Sequence, residues 1–408
     1  MEMAGFLKHI TQLLYMLPEK IRDDFPSIGK GIYLDSACMS LRPKSVIDAM
    51  LEYYRNYPAC AGRSGHKFGR RVTEEMENVR KKIAKFFNAR KPEEIVFTKN
   101  TTEGINMVAS GLGLKKSDIV LTTDKEHNSN LIPWHMTGTE YRILISKPDN
   151  TFDLNKFQEI MSKKVKLVSI VQTSNLDGVT NPIKEITKIS HDYNSLVLVD
   201  GAQSAPHKQI DLKKSDADFF ACSGHKMLGP TGTGILYGKK DHLEKLKPLI
   251  TGGETVIDST YETHKFEALP QRLEPGLQNY AGIIGFGAAI DYLNKTGMKK
   301  IEKHETELNK ILSAGLLNIS KMKIIGPSAE HRGSICSFYL DSIDSHSIAM
   351  MLDNSFNIMI RSGRHCVHSW FNSHKLEGSA RASLYLYNTK DEMEKTIEAM
   401  EKISTILK

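Results

Sequence analysis

The feature that most limits the fold is a series of short, largely apolar runs between about residues 90 and 240. They are EEIVFTK, DIVLTT, YRILIS, KLVSIVQ, LVLVDG, DFFACS and GILYG. Strands that are apolar almost from end to end are covered on both faces. Amphipathic stretches separate several of these runs; in NPIKEITKISHDY, Ile183, Ile186 and Ile189 recur at spacing three. The alternation predicts an α/β fold built on a mostly parallel, seven-stranded sheet. A Gly/Pro loop without a helix joins DFFACS to GILYG, which predicts an antiparallel last strand.

After about residue 280 two long helical patterns, GIIGFGAAIDYLNKTG and MKKIEKHETELNKILSAGLLNI, precede the shorter strands SICSFYL, NIMIRSG and ARASLYLY. The amphipathic helix KDEMEKTIEAMEKISTIL follows. The expected division is a large domain over 26–280 and a smaller α+β domain over 281–408. An N-terminal segment, 1–25, packs on the smaller one through a helix bearing Phe6, Ile10, Leu13, Leu14 and Leu17. A chain of 408 residues can form two such cores.

The formal charge of +7 comes with no run of five or six like charges, so no nucleic-acid partner is expected. No apolar run approaches the roughly 18 residues of a membrane span, and the first residues lack a secretory-signal pattern. Cys38, Cys60, Cys222, Cys336 and Cys366 are scattered and form no CxxC, which suits reduced thiols in the cytoplasm.

Ligands of such sheets collect at the carboxyl ends of the strands. There NTTEGINMV opens a helix on Thr101 and Thr102, which suits either a bound phosphate or a plain cap by one threonine. DKEHNSNLIPW supplies His127 and Asn128, and TSNLDGVTNP supplies Ser174 and Asn175. A lone histidine in such a place is more often structural. In LVLVDGAQSAPH, Asp200 follows four apolar residues and needs a cationic or N–H partner; Gln203 comes one turn on. DFFACSGHKMLGPTGTGILYG ends a buried strand on Ser223, His225 and Lys226. Such a lysine either snorkels to water or is put to use. A lysine at one strand end and a carboxylate at its neighbour are the two groups that grip pyridoxal phosphate. The amine condenses with the aldehyde, and the carboxylate keeps the ring nitrogen protonated. GPTGTG is not a phosphate-binding P-loop, because no Gly-Lys-Ser/Thr follows.

Together VDGAQSAPH, ACSGHKMLGPTGTGILYG, NTTEGIN and EHNSNLIPW resemble the signature segments of class V aminotransferase-fold enzymes, pyridoxal phosphate enzymes of fold type I. Within them the chain is similar to the Suf-type (group II) cysteine desulfurase and selenocysteine lyase branch, from about YLDSACMS to RASLYLYNT. The resemblance implies that Lys226 is the Schiff-base lysine and moves the Cα proton. It implies that Asp200 pairs with the ring nitrogen and Gln203 with the phenolic oxygen, while His127 stacks on the ring. Thr101, Thr102, Ser223 and His225 would hold the phosphate. Arg381 would bind the substrate carboxylate, and Asn175 would contact substrate and cofactor.

Arg361 and His66 are further substrate-side candidates. CAGRSGHKFGRR, which holds His66 and Arg63, matches the region framing the substrate entrance in similar enzymes. Arg63, Arg70 and Arg71 equally suit a solvated face. The resemblance also implies a homodimer acting on L-cysteine, with L-selenocysteine as the alternative substrate. The partner would be a sulfur-acceptor or scaffold protein of iron–sulfur cluster assembly.

IMIRSGRHCVHSWF bears on the reaction. Cys366 follows a strand end among Arg361, Arg364, His365 and His368, and cations favour the nucleophilic thiolate. Similar desulfurases carry their persulfide-forming cysteine in an R-x-G-x-H-C segment like this one. Cys366 would take the sulfur of L-cysteine as a persulfide, leave L-alanine, and pass the sulfur on. The alternatives are a structural loop or a zinc site drawing on His365, Cys366, His368 and His374, as in a non-enzymatic metal-binding or scaffold protein. No metal is expected. On the same fold, the rivals are a selenocysteine lyase, a β-eliminating lyase or an aminotransferase. The chain departs from many relatives at Arg364, where they have histidine, and after Cys366, where the usual proline is missing. Leu277 and Tyr280 stand where relatives often place threonine, one of which can reach a phosphate across the dimer.

Overall fold

The computed structural model describes residues 17, 19–341 and 343–406; of the expected N-terminal helix, Phe6, Ile10, Leu13 and Leu14 lie outside them and Leu17 is described. The seven apolar runs form one sheet: β1 (Ile95–Thr98), β2 (Ile119–Thr123), β3 (Glu140–Leu144), β4 (Val165–Val171), β5 (Leu196–Asp200), β6 (Phe219–Ser223) and β7 (Gly234–Gly238). Their order is β1-β7-β6-β5-β4-β2-β3. β7 runs antiparallel to both of its neighbours, and the other pairings are parallel. The strand joined to its predecessor by a loop alone is thus the reversed one, as the missing crossover helix requires. Strands β1, β2, β6 and β7 are buried along their whole length. β3 is not: as an edge strand it leaves four of its five residues exposed, which its apolar sequence did not suggest. At the opposite edge, Glu274 covers β1 by accepting the Phe97 N–H at 2.6 Å.

Glu274 also takes a bidentate pair from Arg80, with Nη1 and Nη2 at 2.7 and 3.0 Å, and Arg80 Nη1 donates to Ile95 O at 2.7 Å. Both side chains are buried. This knot ties helix Lys67–Phe86 to the sheet edge. Helix Tyr280–Thr296 lies across that helix and across Lys44–Asn56. Its glycines explain the closeness: a Cβ at Gly285 would stand 2.7 Å from Met50 Cγ, and one at Gly287 2.5 Å from Val79 Cγ2.

A second core gathers around a four-stranded antiparallel sheet of β8 (Met322–Ile324), β9 (Ile335–Leu340), β10 (Arg361–Gly363) and β11 (Ser379–Ser383), in the order β8-β9-β11-β10. Helices Met298–Leu317, Ser345–Phe356 and Lys390–Ile406 cover it, burying Leu308, Ile348 and Ile403 against Phe338 and Ala380. The chain before the first large-domain helix touches both cores: Phe25 is buried in the larger one, with Leu17, Ile21 and Ile28 packed against it, while the stretch that follows reaches the smaller one. Ile32–Tyr33 pairs in parallel with Ile358–Met359, and Leu34 is buried in this core. Upstream, Leu17 N–H donates to His304 Nδ1 at 3.1 Å, and Arg22 pairs with Glu392 at 2.9 Å. Residues from both cores therefore meet at the carboxyl ends of β4, β5 and β6.

Candidate active site

At that meeting point lies a cavity of ≈ 240 Å³. It is lined by every residue expected to hold cofactor, substrate or sulfur except His66; Arg63, Asn128, Ser174, Arg364, His368 and His374 do not line it.

Asp200 ends β5, in register with Val171 of β4 and Ala221 of β6. It is buried and accepts the Ala202 N–H at 2.9 Å. Burial pushes its carboxyl up, while that N–H and Lys226 pull it down. Lys226 closes the short turn Gly224–Lys226 directly after β6. Burial pushes its amine below the ordinary lysine value and Arg381 adds to this, against the pull of Asp200. The shift favours the neutral amine, which condenses with a carbonyl and accepts a proton. The glycines beyond it serve the return strand: a Cβ at Gly234 would stand 2.6 Å from Cys222 O and 2.9 Å from Asn100 Cα.

Neither threonine caps helix Thr101–Gly111. That place belongs to Asn100, whose side chain accepts the Glu103 N–H at 3.0 Å. Thr101 instead meets Ser223 Oγ through its hydroxyl at 2.7 Å and its N–H at 2.9 Å, and Thr102 Oγ1 meets Ser129 Oγ at 2.7 Å. With His225 alongside, these groups make a hydroxyl-rich wall at a helix N-terminus. Burial, with Lys226 and Arg42, pushes His225 down to about 4. His127 has two roles: its Nδ1 accepts the Ser129 N–H at 3.0 Å, capping helix Asn128–Met136, and its ring lines the cavity. Burial, then Lys226 and Arg381, push it down to about 3, so the ring is neutral near pH 7.

The facing wall comes from the smaller sheet. Arg361 of β10 and Arg381 of β11 are direct cross-strand partners. Like charges so placed destabilise a sheet unless an anion lies between them. Arg381 donates to Asn175 O at 3.0 Å and reaches Asp35 Oδ1 at 3.5 Å, and Arg361 donates to Cys38 Sγ at 3.3 Å. Arg381 Nε is buried with no partner. This is the donor arrangement that a carboxylate satisfies.

Cys366 enters through an unusual backbone. His365 and Cys366 have φ of 48° and 59°, consecutive non-glycine residues in the left-handed region. Such conformations cost of order 1–3 kcal/mol each and persist only where the surroundings impose them. Here Cys366 O accepts the Asn128 N–H at 2.8 Å, and His365 O accepts Asn175 Nδ2 at 2.7 Å. Val367, Trp370 and Phe371 anchor the far side against Leu176 and Ile325. The two cores thereby hold the thiol at the cavity.

The cations expected around Cys366 are differently disposed. Burial and the two arginines push His365 down to about 2, so it is a neutral ring, bonded to Ser379 Oγ at 2.8 Å. Arg364 turns away to Glu377 O and Asn372 Oδ1. Of the cations expected there, Arg361 does line the cavity that Cys366 lines, and Arg381 joins it. The histidines of the zinc reading are separately engaged: His368 with Asn128 at 3.0 Å, and His374 with Trp370 O at 2.8 Å. Among the described residues no cluster of three His, Cys, Asp or Glu side chains is arranged to hold a metal.

His66 is exposed and caps helix Lys67–Phe86 through its Nδ1, which accepts the Gly69 N–H at 3.3 Å. Arg63 pairs with Glu254 at 3.1 Å, and Arg71 stacks 3.7 Å over Tyr57. Residue-by-residue reading passed over Asp35, Cys38 and Asn100, which shape this site. Asp35 and Cys38 lie in YLDSACMS, so a signal existed; nothing local marked Asn100 as the cap in preference to Thr101.

The residues present fit pyridoxal phosphate. An amine and a carboxylate face one cavity beside a wall of hydroxyls and a neutral imidazole face. Asn175 Oδ1, Gln203 Oε1 and His365 Nδ1 are buried there without partners. Gln203 is oriented by Nε2, which donates to Ala37 O at 2.7 Å.

Comparison with known proteins agrees with this geometry. Residues 32–396 match the family model described as Aminotransferase class-V. A probable cysteine desulfurase of Synechocystis sp. is 40% identical over 94% of this chain and 95% of its own length. One of Halalkalibacterium halodurans is 41% identical over 91% and 92%. The solved apo structure of a cysteine desulfurase from Thermococcus onnurineus is similar with a TM-score of 0.92 at 36% identity, covering 95% of this chain and 98% of that one. On these matches, and with the lysine, carboxylate and hydroxyl wall assembled at one sheet end, the chain belongs to the class V aminotransferase family of pyridoxal phosphate enzymes.

Proposed function

We propose that this protein is a cysteine desulfurase that converts L-cysteine to L-alanine and holds the sulfur as a persulfide on Cys366. The observation that carries the reading is the strained cysteine loop, held at the cavity that Lys226, Asp200 and Arg381 also line. The names of the relatives support the same activity.

When bound, pyridoxal phosphate supplies an electron sink that makes the substrate Cα proton acidic. Lys226 would carry it and Asp200 would hold its ring nitrogen. Gln203 would meet its phenolic oxygen, His127 would cover one ring face, and Thr101, Thr102, Ser223 and His225 would take its phosphate. Arg381, with Arg361 opposite and Asn175 beside it, binds the substrate carboxylate. Lys226 Nζ removes the Cα proton and returns one. Cys366 Sγ attacks the substrate sulfur: an S–S bond forms, the C–S bond breaks, and its electron pair goes to the carbon that becomes the alanine methyl group.

The finer parts of the reading are that the persulfide sulfur goes to an acceptor or scaffold protein of iron–sulfur assembly, and that the enzyme is a cytoplasmic homodimer. Free cysteines at all five positions suit a reducing compartment. No described helix is long and apolar enough to cross a membrane. Exposed Leu249, Ile250 and Leu277 around a cavity of ≈ 520 Å³ suit a second copy of the chain. Tyr280, in contrast to Leu277, is buried and does not stand free to reach across. His66 is exposed on this protomer and does not line the cavity at the strand ends.

Supplied with pyridoxal phosphate, L-cysteine and a thiol reductant, the protein is expected to release alanine and sulfide in equal amounts. Pyruvate and ammonia in place of alanine would overturn the reading in favour of β-elimination. A rate on L-selenocysteine far above that on L-cysteine would favour a selenocysteine lyase. Arg381→Ala is expected to raise KM for L-cysteine by roughly 10–100-fold, the worth of a charge-assisted hydrogen bond of ~1.5–3 kcal/mol; steady-state kinetics check it.

A further inference from the structure

The cavity holds a second thiol that the reaction above does not use. Cys38 lines it together with Cys366, and it is half-buried. Its loop is tied down on both sides. Ala37 N–H donates to Ser383 Oγ at 2.9 Å, Ala37 O accepts Gln203 Nε2 at 2.7 Å, and Cys38 N–H donates to Asp35 O at 3.1 Å. Cys38 therefore stands between the cofactor-side strand ends and the arginine pair of the smaller sheet.

Arg361 Nη1 donates to Cys38 Sγ at 3.3 Å. That contact fixes the Cys38 sulfur at the cavity wall beside the arginine pair; a thiolate is the form that attacks a sulfur–sulfur bond. The surroundings are built for anions: buried Arg381 Nε and His365 Nδ1 have no protein partner, and both residues line the same cavity. Lys226, Cys38 and Cys366 all line this one cavity of ≈ 240 Å³, so both sulfurs open on the same space. The remaining thiols are differently placed. Cys222 and Cys336 are fully buried, and Cys60 does not line the cavity.

We propose that Cys38 is a second sulfur-carrying residue, loaded from the Cys366 persulfide inside the same cavity. This rests on the desulfurase reading. Cys38 thiolate attacks the outer sulfur of the Cys366 persulfide. A new S–S bond forms on Cys38, the old one on Cys366 breaks, and its electron pair leaves as the Cys366 thiolate. The exchange needs no oxidant or reductant, and it frees Cys366 for a second L-cysteine while the first sulfur is still bound.

The test is a limited-turnover experiment on the holoenzyme, reduced and then freed of reductant. It receives two equivalents of L-cysteine per chain and no acceptor protein. Alanine is counted, and the persulfides are alkylated and mapped by mass spectrometry. The parent is expected to form about two alanines per chain with persulfide on both Cys38 and Cys366, since thiolate exchange distributes the first sulfur. Cys38→Ser keeps a polar atom for Arg361 but cannot carry the sulfur. It is expected to stop at about one alanine, with persulfide on Cys366 alone, because the exchange partner is gone. Persulfide on Cys366 in that variant also shows that it has folded. Equal alanine in the two proteins with no persulfide on Cys38 overturns the proposal. So does a Cys38–Cys366 disulfide with free sulfide, which would make Cys38 a resolving thiol. No alanine from the parent itself overturns the desulfurase reading, and the proposal falls with it.

Discussion

Lys226→Ala is expected to cut alanine formation from L-cysteine by at least roughly 10²–10⁴-fold, the usual worth of a positioned proton-transfer group. Lys226 closes the turn that follows β6, in the cavity that the buried Asp200 at the end of β5 also lines, and burial shifts its amine towards the neutral form. No other described lysine lines the cavity, so nothing stands ready to replace it. Lys226→Arg is expected to give no rescue, because a guanidinium keeps its proton and does not condense with an aldehyde. Initial rates with pyridoxal phosphate in excess check both variants. A loss below tenfold for Lys226→Ala would remove Lys226 from the reaction.

The second large effect is on stability. Arg80→Ala strands the buried Glu274 carboxylate and leaves Ile95 O without its donor. Breaking a buried pair by removing one partner costs about 3–5 kcal/mol. The Phe97 N–H still reaches Glu274, which softens the loss without replacing a bidentate guanidinium. Urea unfolding followed by circular dichroism is expected to show a midpoint well below that of the parent. Because β1 lies against β7 and leads into helix Thr101–Gly111, the same variant is expected to bind pyridoxal phosphate more weakly. A change under about 1 kcal/mol would mean that the pair is dispensable to the fold.

Much of this architecture was legible because a parallel strand covered on both faces has to be apolar nearly throughout. All seven runs became strands, and the one reversal fell where no helix separates two of them. Lys226 and Asp200 were legible for a related reason: a charged residue closing an apolar run calls for a use. What escaped was set by long-range pairing. That Arg361 and Arg381 stand opposite each other depends on the register of β10 against β11, which neither segment encodes alone.

The left-handed turn at His365 and Cys366 carries no glycine or asparagine to announce it. It is imposed by Asn128 and Asn175, both from the other core. His365 read as a cation beside the thiol because its burial against two arginines is a tertiary fact. The cap at Asn100 escaped for a more local reason: two threonines and an asparagine stand in a row, and any of them can cap a helix.

The central claim is that Cys366 takes the sulfur. Its most direct test is alanine release from L-cysteine, measured under reductant for the pyridoxal phosphate-loaded parent and its Cys366→Ala variant side by side. The account predicts alanine from the parent and none above background from the variant, with both proteins binding the cofactor equally. Alanine from the variant at a rate near that of the parent would contradict it.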